Sequence, residues 1–179
     1  MQDSMTIRAS SDDDLRDITA IYAHHVRFGT ASFELAPPSL AEMTTRRAAI
    51  LERGMPYLVA AEGGAVLAYA YAGPYRARPA YADTVENSIY VRHDLTGRGI
   101  GRPLLAALVD ACADLGLRQM IAVVGDSGNQ PSIRLHERCG FRQIGTLCSV
   151  GWKHGRWLDS VLLQRALGQG DRVPPTRPH

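Results

Sequence analysis

Seven residues, Gly97-Arg98-Gly99-Ile100-Gly101-Arg102-Pro103, constrain this chain more than any other stretch. They follow an extended run, Ser88-Ile89-Tyr90-Val91, across the spacer Arg92-His93-Asp94-Leu95-Thr96. They precede an apolar stripe, Leu104, Leu105, Leu108, Val109, Cys112 and Leu115, whose spacing predicts a helix from near Pro103 to Gly116. Glycines at alternate positions leave the backbone nearly bare, so its amides can close around a phosphate. The N-terminus of the following helix adds positive potential at the same spot, and Arg98 and Arg102 add charged donors.

Spacing decides between kinds of phosphate loop. A Walker A loop requires Gly-Lys-Ser/Thr after four intervening residues, and no lysine follows here. A dinucleotide fingerprint requires G-x-G-x-x-G directly after a strand. Counted from Gly97, the third glycine position holds Arg102; counted from Gly99, it holds Leu104.

The rest of the chain reads as one domain, residues 1–167, followed by a disordered tail, 168–179, rich in proline. A net charge of +2 excludes an ordinary nucleic-acid binder. No apolar run reaches membrane-spanning length, and Met1-Gln2-Asp3-Ser4 does not read as a signal peptide, so a cytoplasmic protein is expected. The three cysteines, 112, 139 and 148, contain no CxxC pair and read as reduced thiols. His24-His25, His93 and His154 lack ligand spacing, so no metal is expected.

Periodicity predicts a first strand at Thr6-Ile7-Arg8. A helix follows, capped by Ser11 and carrying Leu15, Ile18, Tyr22 and Val26. A loop, Gly29 to Glu34, leads to a second helix from Ser39 to about Arg53. Strands are predicted at Tyr57–Ala61 and Val66–Ala72, with Gly63-Gly64 turning between them and Gly73-Pro74 ending the second. Further strands are predicted at Thr84–Val91, Met120–Val124, Phe141–Val150 and Trp157–Leu163, with a short helix at Ser132–Arg138. Trp157 reads as strand packing. This order suits an α/β sheet with helices on both faces.

The Arg-Gly-x-Gly-Arg pattern after a strand and spacer resembles the coenzyme A loop of the GNAT acetyltransferase superfamily. A second block, Asn129-Gln130-Pro131-Ser132-Ile133-Arg134-Leu135-His136-Glu137-Arg138-Cys139-Gly140-Phe141, is similar to that superfamily's Asn…Gly-Phe block. Other stretches are similar to the phosphinothricin and methionine sulfone (or sulfoximine) N-acetyltransferase branch. They are Thr30-Ala31-Ser32-Phe33-Glu34, Ala72-Gly73-Pro74-Tyr75-Arg76-Ala77-Arg78-Pro79-Ala80-Tyr81, Thr84 to Val91, and Lys153-His154-Gly155-Arg156-Trp157-Leu158-Asp159. The resemblance covers nearly everything from Ile7 to Leu167. It implies a mixed, mostly antiparallel sheet of about six or seven strands flanked by about four helices. It also implies acetyl-CoA as cosubstrate, a small amino acid-like acceptor, and a homodimer whose interface lies near the hairpin tip Lys153–Arg156.

Amine acetylation needs a deprotonated nucleophile, and an amine near pKa ~8 or above is mostly protonated at neutral pH. Glu86 is the candidate base. By alternation it shares a strand face with Ser88 and Tyr90, opposite Asn87, Ile89 and Val91. The residues alone read equally well as a solvated carboxylate at a strand start; the resemblance favours the base. His136 stands where many relatives carry a tyrosine and is a candidate proton donor to the leaving thiolate. It reads alternatively as a hydrogen-bonded histidine lining the cleft.

For the coenzyme, the resemblance implies Ile89, Tyr90, Val91, Gly97, Arg98, Gly99, Ile100, Gly101, Arg102, Asn129 and Ser132, with the Val91 amide polarising the thioester carbonyl. For the acceptor it implies Phe33, Arg76, Ala77, Arg78, Tyr81, Glu86, Asn87 and Ser88. Two guanidinium forks match a carboxylate or phosphinate, although two nearby arginines also read as a solvated basic loop. Two alternatives stay open. One is acetylation of a protein N-terminus or lysine, which needs a long groove. The other is a coenzyme A-binding sensor that does not turn over and has no need of Glu86.

Overall fold

The computed structural model describes residues 4–175. Met1 to Asp3 of the expected leaderless start, and residues 176–179 of the expected tail, lie outside the described residues. Seven strands form a single sheet in the order β1-β2-β3-β4-β5-β7-β6. They are β1 (Thr6–Ala9), β2 (Tyr57–Glu62), β3 (Ala65–Pro74), β4 (Thr84–Val91), β5 (Gln119–Gly125), β6 (Arg142–Lys153) and β7 (Arg156–Ala166). The helices are α1 (Leu15–Phe28), α2 (Leu40–Glu52), α3 (Gly101–Asp114) and α4 (Gln130–Arg138). Neighbouring strands are antiparallel except β4 and β5, which run parallel and are linked through α3. This is the expected α/β architecture. No helix among the described residues is long and apolar enough to cross a membrane.

The composition of β3 explains why the two faces differ. Ala68, Ala70 and Ala72 turn toward α3 and let it approach closely, while Tyr69 and Tyr71 turn toward α1 and α2. Leu67 is an extra residue at a bulge, since Ala60 opposes Ala68 while Ala61 opposes Val66. Leu104, Leu105 and Leu108 of α3 are fully buried on the alanine side, each contributing about 1.5–3 kcal/mol by burial. The other core holds Ile18, Ile21 and Val26 of α1 with Tyr57, Val59 and Tyr69.

Several boundaries differ from expectation, among them α4 from Gln130, β6 to Lys153 and β7 to Ala166; two are instructive. Helix α3 starts at Gly101, two residues before Pro103. A proline in the first turn is tolerated because its missing N–H would have no helical acceptor there. Strand β3 runs on through Gly73 and Pro74, paired with Glu86 and Val85. Arg92 N–H bonds Leu67 O and Tyr75 N–H bonds Thr84 O. In antiparallel alternation, Pro74 therefore turns its nitrogen away from β4, toward an edge that β2 has already left. Gly63 and Gly64, both at positive φ (57° and 83°), make the tight β2–β3 hairpin. Of the 168–179 stretch, Gly170 and Pro174 give their carbonyls to Arg118.

Candidate active site

The hydrogen-bond alternation on β4 also opens a backbone edge. Even-numbered residues of β4 spend their N–H and C=O groups on β3. Ile89 and Val91 direct theirs to the opposite edge, but β5 pairs β4 only from Thr84 to Asn87. Beyond Asn87 the two strands part, and among the described residues no strand pairs with Ile89 and Val91 on that edge. An extended polar chain can add there as a strand would. The Val91 carbonyl is taken by His25, whose Nε2 lies 2.8 Å away and must donate to it. The Ile89 groups and the Val91 N–H remain for a ligand.

The glycine loop lies just past this edge, and its three glycines have two different reasons. Gly97 (φ +79°) and Gly99 (φ +82°) adopt left-handed conformations, with open space where a Cβ would stand. Gly101 is helical, and a Cβ there would come within 3.1 Å of Leu135 on α4. Thus two glycines shape the cradle and the third lets α3 and α4 pack. Arg98 and Arg102 are exposed beside them.

Where β4 and β5 part, a cavity of about 460 Å³ opens, lined on one side by Glu86, Ser88, Tyr71, Tyr22 and Glu34. No hydrogen bond or ion pair from a described residue holds the Glu86 carboxylate, and burial pushes its pKa above the usual value. The Tyr71 hydroxyl meets Ser88. Tyr22 Oη bonds Ser32 Oγ and Glu34 Oε1, both at 2.9 Å, and Arg46 pairs with Glu34 at 2.6 Å. Burial raises the Tyr22 phenol to about 12, so it stays protonated and donates to Glu34. Tyr57, Tyr69, Tyr71 and Tyr90 stack beneath this wall.

Phe33 forms the roof. Its ring occupies a slot that exists because two residues lack side chains. A Cβ on Gly151 would lie 2.5 Å from the ring, and one on Gly125 would lie 2.9 Å from it. The β6–β7 hairpin tip ties the Gly29–Glu34 loop down. Lys153 Nζ, buried, donates to Ser32 O at 2.6 Å, and His154 Nε2 donates to Gly29 O at 3.2 Å. Arg156 pairs with Asp126, which also accepts from Thr30 Oγ1 at 3.1 Å. The Arg156 contact is the largest cause that holds the Asp126 carboxyl below the usual range. The polar groups of the tip are therefore spent within the chain. Trp152 and Trp157 stand beside it, exposed and edge to face at 5.2 Å, rather than packed into the sheet.

On the other face of β4, His136 is buried between Ser132 and Asn87. Its Nδ1 lies 2.8 Å from Ser132 O, its Nε2 lies 3.0 Å from Asn87 Oδ1, and Asn87 Nδ2 donates to Ile121 O at 3.3 Å. Phe141 meets the ring at right angles. Burial pushes the His136 pKa below the usual range, partly offset by Ser132 O. A buried hydrogen bond left unmade costs about 1–3 kcal/mol, comparable to roughly one or two pH units of titration.

The structure thus brings Glu86, Asn87, Ser88, Ile89, Tyr90, Phe33, Asn129, Ser132 and His136 to one cavity. Asn129 also caps α4 by accepting from Ser132 N–H at 3.4 Å. Arg76, Ala77, Arg78 and Tyr81 do not reach the cavity lining; they stand exposed on the β3–β4 loop, with Arg76 over the Tyr75 ring at 5.1 Å. Reasoning from the chain missed Tyr22, Ser32, Glu34 and Tyr71. The Tyr-x-Tyr alternation of β3 was the available signal for Tyr71. The branch-like stretch 30–34 was the signal for Ser32 and Glu34; nothing local marked Tyr22 beyond its place in the helical stripe. Among the described residues, no three His, Cys, Asp or Glu side chains gather as a cation site.

Comparison with known proteins agrees with this geometry. The profile of the acetyltransferase (GNAT) family matches residues 18–141. The chain is 55% identical over 170 residues to a phosphinothricin N-acetyltransferase of Alcaligenes faecalis, covering 95% of this chain and 86% of that protein. It is 41% identical over 172 residues to an L-methionine sulfoximine/L-methionine sulfone acetyltransferase of Pseudomonas aeruginosa, covering 96% and 99%. A crystal structure of a phosphinothricin acetyltransferase from Sinorhizobium meliloti in complex with AcCoA superposes with a TM-score of 0.93. It shares 46% identity and covers 97% of this chain and 94% of that one.

Proposed function

The chain belongs to the GNAT acetyltransferase family, and on that premise we propose that it moves acetyl from acetyl-CoA to the α-amino group of a small amino acid-like acceptor. The acceptor is of the phosphinothricin, methionine sulfoximine or methionine sulfone type, and its amine attacks the thioester directly. One observation carries this reading: the half-buried Glu86 carboxylate, held by no partner among the described residues, stands in the cavity beside the open Ile89–Val91 edge. A carboxylate with a raised pKa, free in a cleft, is suited to take a proton from an ammonium group.

The residues divide the work. Ile89 and Val91 offer backbone groups to the pantetheine arm, with Tyr90 between them, and Asn129 and Ser132 flank its inner end. Gly97, Arg98, Gly99, Ile100, Gly101 and Arg102 form the cradle for the pyrophosphate. The Val91 N–H polarises the thioester carbonyl. Glu86 deprotonates the acceptor, and His136 protonates the leaving sulfur. Phe33, Asn87 and Ser88 border the acceptor, while Arg76, Ala77, Arg78 and Tyr81 lie outside the cavity. Residues 1–167 act as a single domain, working in the cytoplasm.

A homodimer is also part of this reading. Ile144, Leu147, Val150, Trp152 and Trp157 leave an exposed apolar surface on β6 and β7, of a kind that marks protein–protein contacts.

The test is a thiol-release assay with a panel of free amino acids, phosphinothricin, methionine sulfone and N-terminal peptides. Free amino acid-like amines are expected to accelerate release. Acetyl-CoA binding with no acceleration by any amine would favour a sensor, and faster release with peptides would favour a protein N-acetyltransferase.

A further inference from the structure

We propose that Asn87 is a positioning residue that keeps both ring nitrogens of His136 protonated and so readies it as the proton donor. The argument rests on which atoms accept. Ser132 O and Ile121 O are carbonyls and can only accept. Ile121 O lies 3.3 Å from the Asn87 amide nitrogen, so that amide turns its NH₂ to Ile121 and its oxygen to His136. His136 then faces an acceptor on each side, Ser132 O at Nδ1 and Asn87 Oδ1 at Nε2. A neutral ring carries one proton and would leave a lone pair against an oxygen. Turning the Asn87 amide over only moves that conflict to Ile121. The chain of contacts closes without conflict when the ring is an imidazolium.

Among the described residues no neighbouring charge supplies this effect. Glu86 of β4 faces the opposite side of the strand. Arg134, Glu137 and Arg138 of α4, Arg102 of α3 and Arg142 of β6 are exposed. The residues of β5 include no ionisable side chain. Burial of the ring lowers its pKa even with the bond to Ser132 O counted; the Asn87 oxygen 3.0 Å from Nε2 acts against that burial. His136 and Asn87 both line the cavity that holds Glu86.

The use of this proton rests on the acetyl-transfer reading above. As the bond from amine nitrogen to acetyl carbon forms, the carbon–sulfur bond breaks, and the electron pair left on sulfur takes the Nε2 proton. His136 is left neutral, keeping its Nδ1 proton on Ser132 O. It regains the second proton from solvent. The ammonium gives one proton to Glu86 before attack and releases a second to solvent as the amide forms, so the acid and the base lie on opposite faces of one strand.

Two measurements test the proposal. In apo enzyme carrying ¹⁵N-labelled histidine, the His136 ring of the parent protein is expected to show two protonated nitrogens at neutral pH. In Asn87→Leu one nitrogen is expected to lose its proton at the same pH. Asn87→Asp, which keeps an acceptor and adds charge, is expected to restore both. In the thiol-release assay, the alkaline limb of kcat is expected to move to lower pH in Asn87→Leu, with about a tenfold loss at the parent's upper pH range. The same limb is expected to move to higher pH in Asn87→Asp. A parent ring with a bare nitrogen at neutral pH would overturn the proposal, as would a ring and alkaline limb unchanged in both variants. If the ring responds as expected but no amine is ever acetylated, the hold of Asn87 on the proton stands and the acetyl-transfer reading fails instead.

Discussion

The two walls of the cleft are built from different material. In the proposed reading the donor wall is backbone: the Ile89–Val91 edge and the Gly97–Gly99 loop, all within one short segment. The acceptor wall is side chain: Glu86, Tyr71, Tyr22, Ser32, Glu34 and Phe33, gathered from β4, β3, α1 and the α1–α2 loop. A backbone site needs only a local conformation, and local conformation is written in glycine spacing. A side-chain site needs distant elements to pack first.

The comparison can be broken most severely at Glu86. Glu86→Gln is expected to lower kcat/KM about 10²- to 10⁴-fold, the usual worth of a positioned base, with little change in binding of acetyl-CoA. The same substitution should raise the melting temperature at neutral pH. The folded-state pKa of Glu86 is raised, so its ionised form opposes folding, and that cost grows as pH rises from the ordinary carboxylate value through the raised one. Glutamine carries no charge to bury. For the same reason, the acid limb of activity should lie above the ordinary carboxylate range. Calorimetry and a pH–rate profile check both.

A second substitution sharpens the difference between the walls. Gly151→Ala places a Cβ 2.5 Å from the Phe33 ring and must push that ring into the acceptor space. Overpacking of this kind costs about 1–3 kcal/mol. KM for the acceptor should rise while KM for acetyl-CoA stays put. The reverse pattern, a change on the acetyl-CoA side alone, would place Phe33 on the donor wall. The smallest expected effect is the complement. Gly99→Ala forces a side chain into a left-handed conformation (φ +82°), at a cost of about 1–2 kcal/mol. It should weaken acetyl-CoA about five- to thirtyfold and leave the acceptor's KM alone.

Much of this site was legible in the chain itself. The glycine spacing, the strand before it and the Asn…Gly-Phe block pointed to the family that the profile confirms, and alternation placed Glu86 and Ser88 on the face opposite Asn87. The chain did not reveal that Gly101 serves helix packing through Leu135, because a glycine's neighbour across space leaves no local mark. It did not reveal that Lys153 holds Ser32 across 121 positions. Nor did it reveal that Arg76 stands over Tyr75 outside the cavity, since a loop's direction depends on what it packs against.

Periodicity and turn chemistry are properties of neighbouring residues. By themselves they determined the strands and helices, the α/β order and the bare glycine loop. The parting of β4 from β5, the slot between Gly125 and Gly151, and the pair of oxygens around His136 were decided by tertiary structure alone. Each arises from groups that meet only after the sheet has closed, through contacts whose partners no local pattern can name.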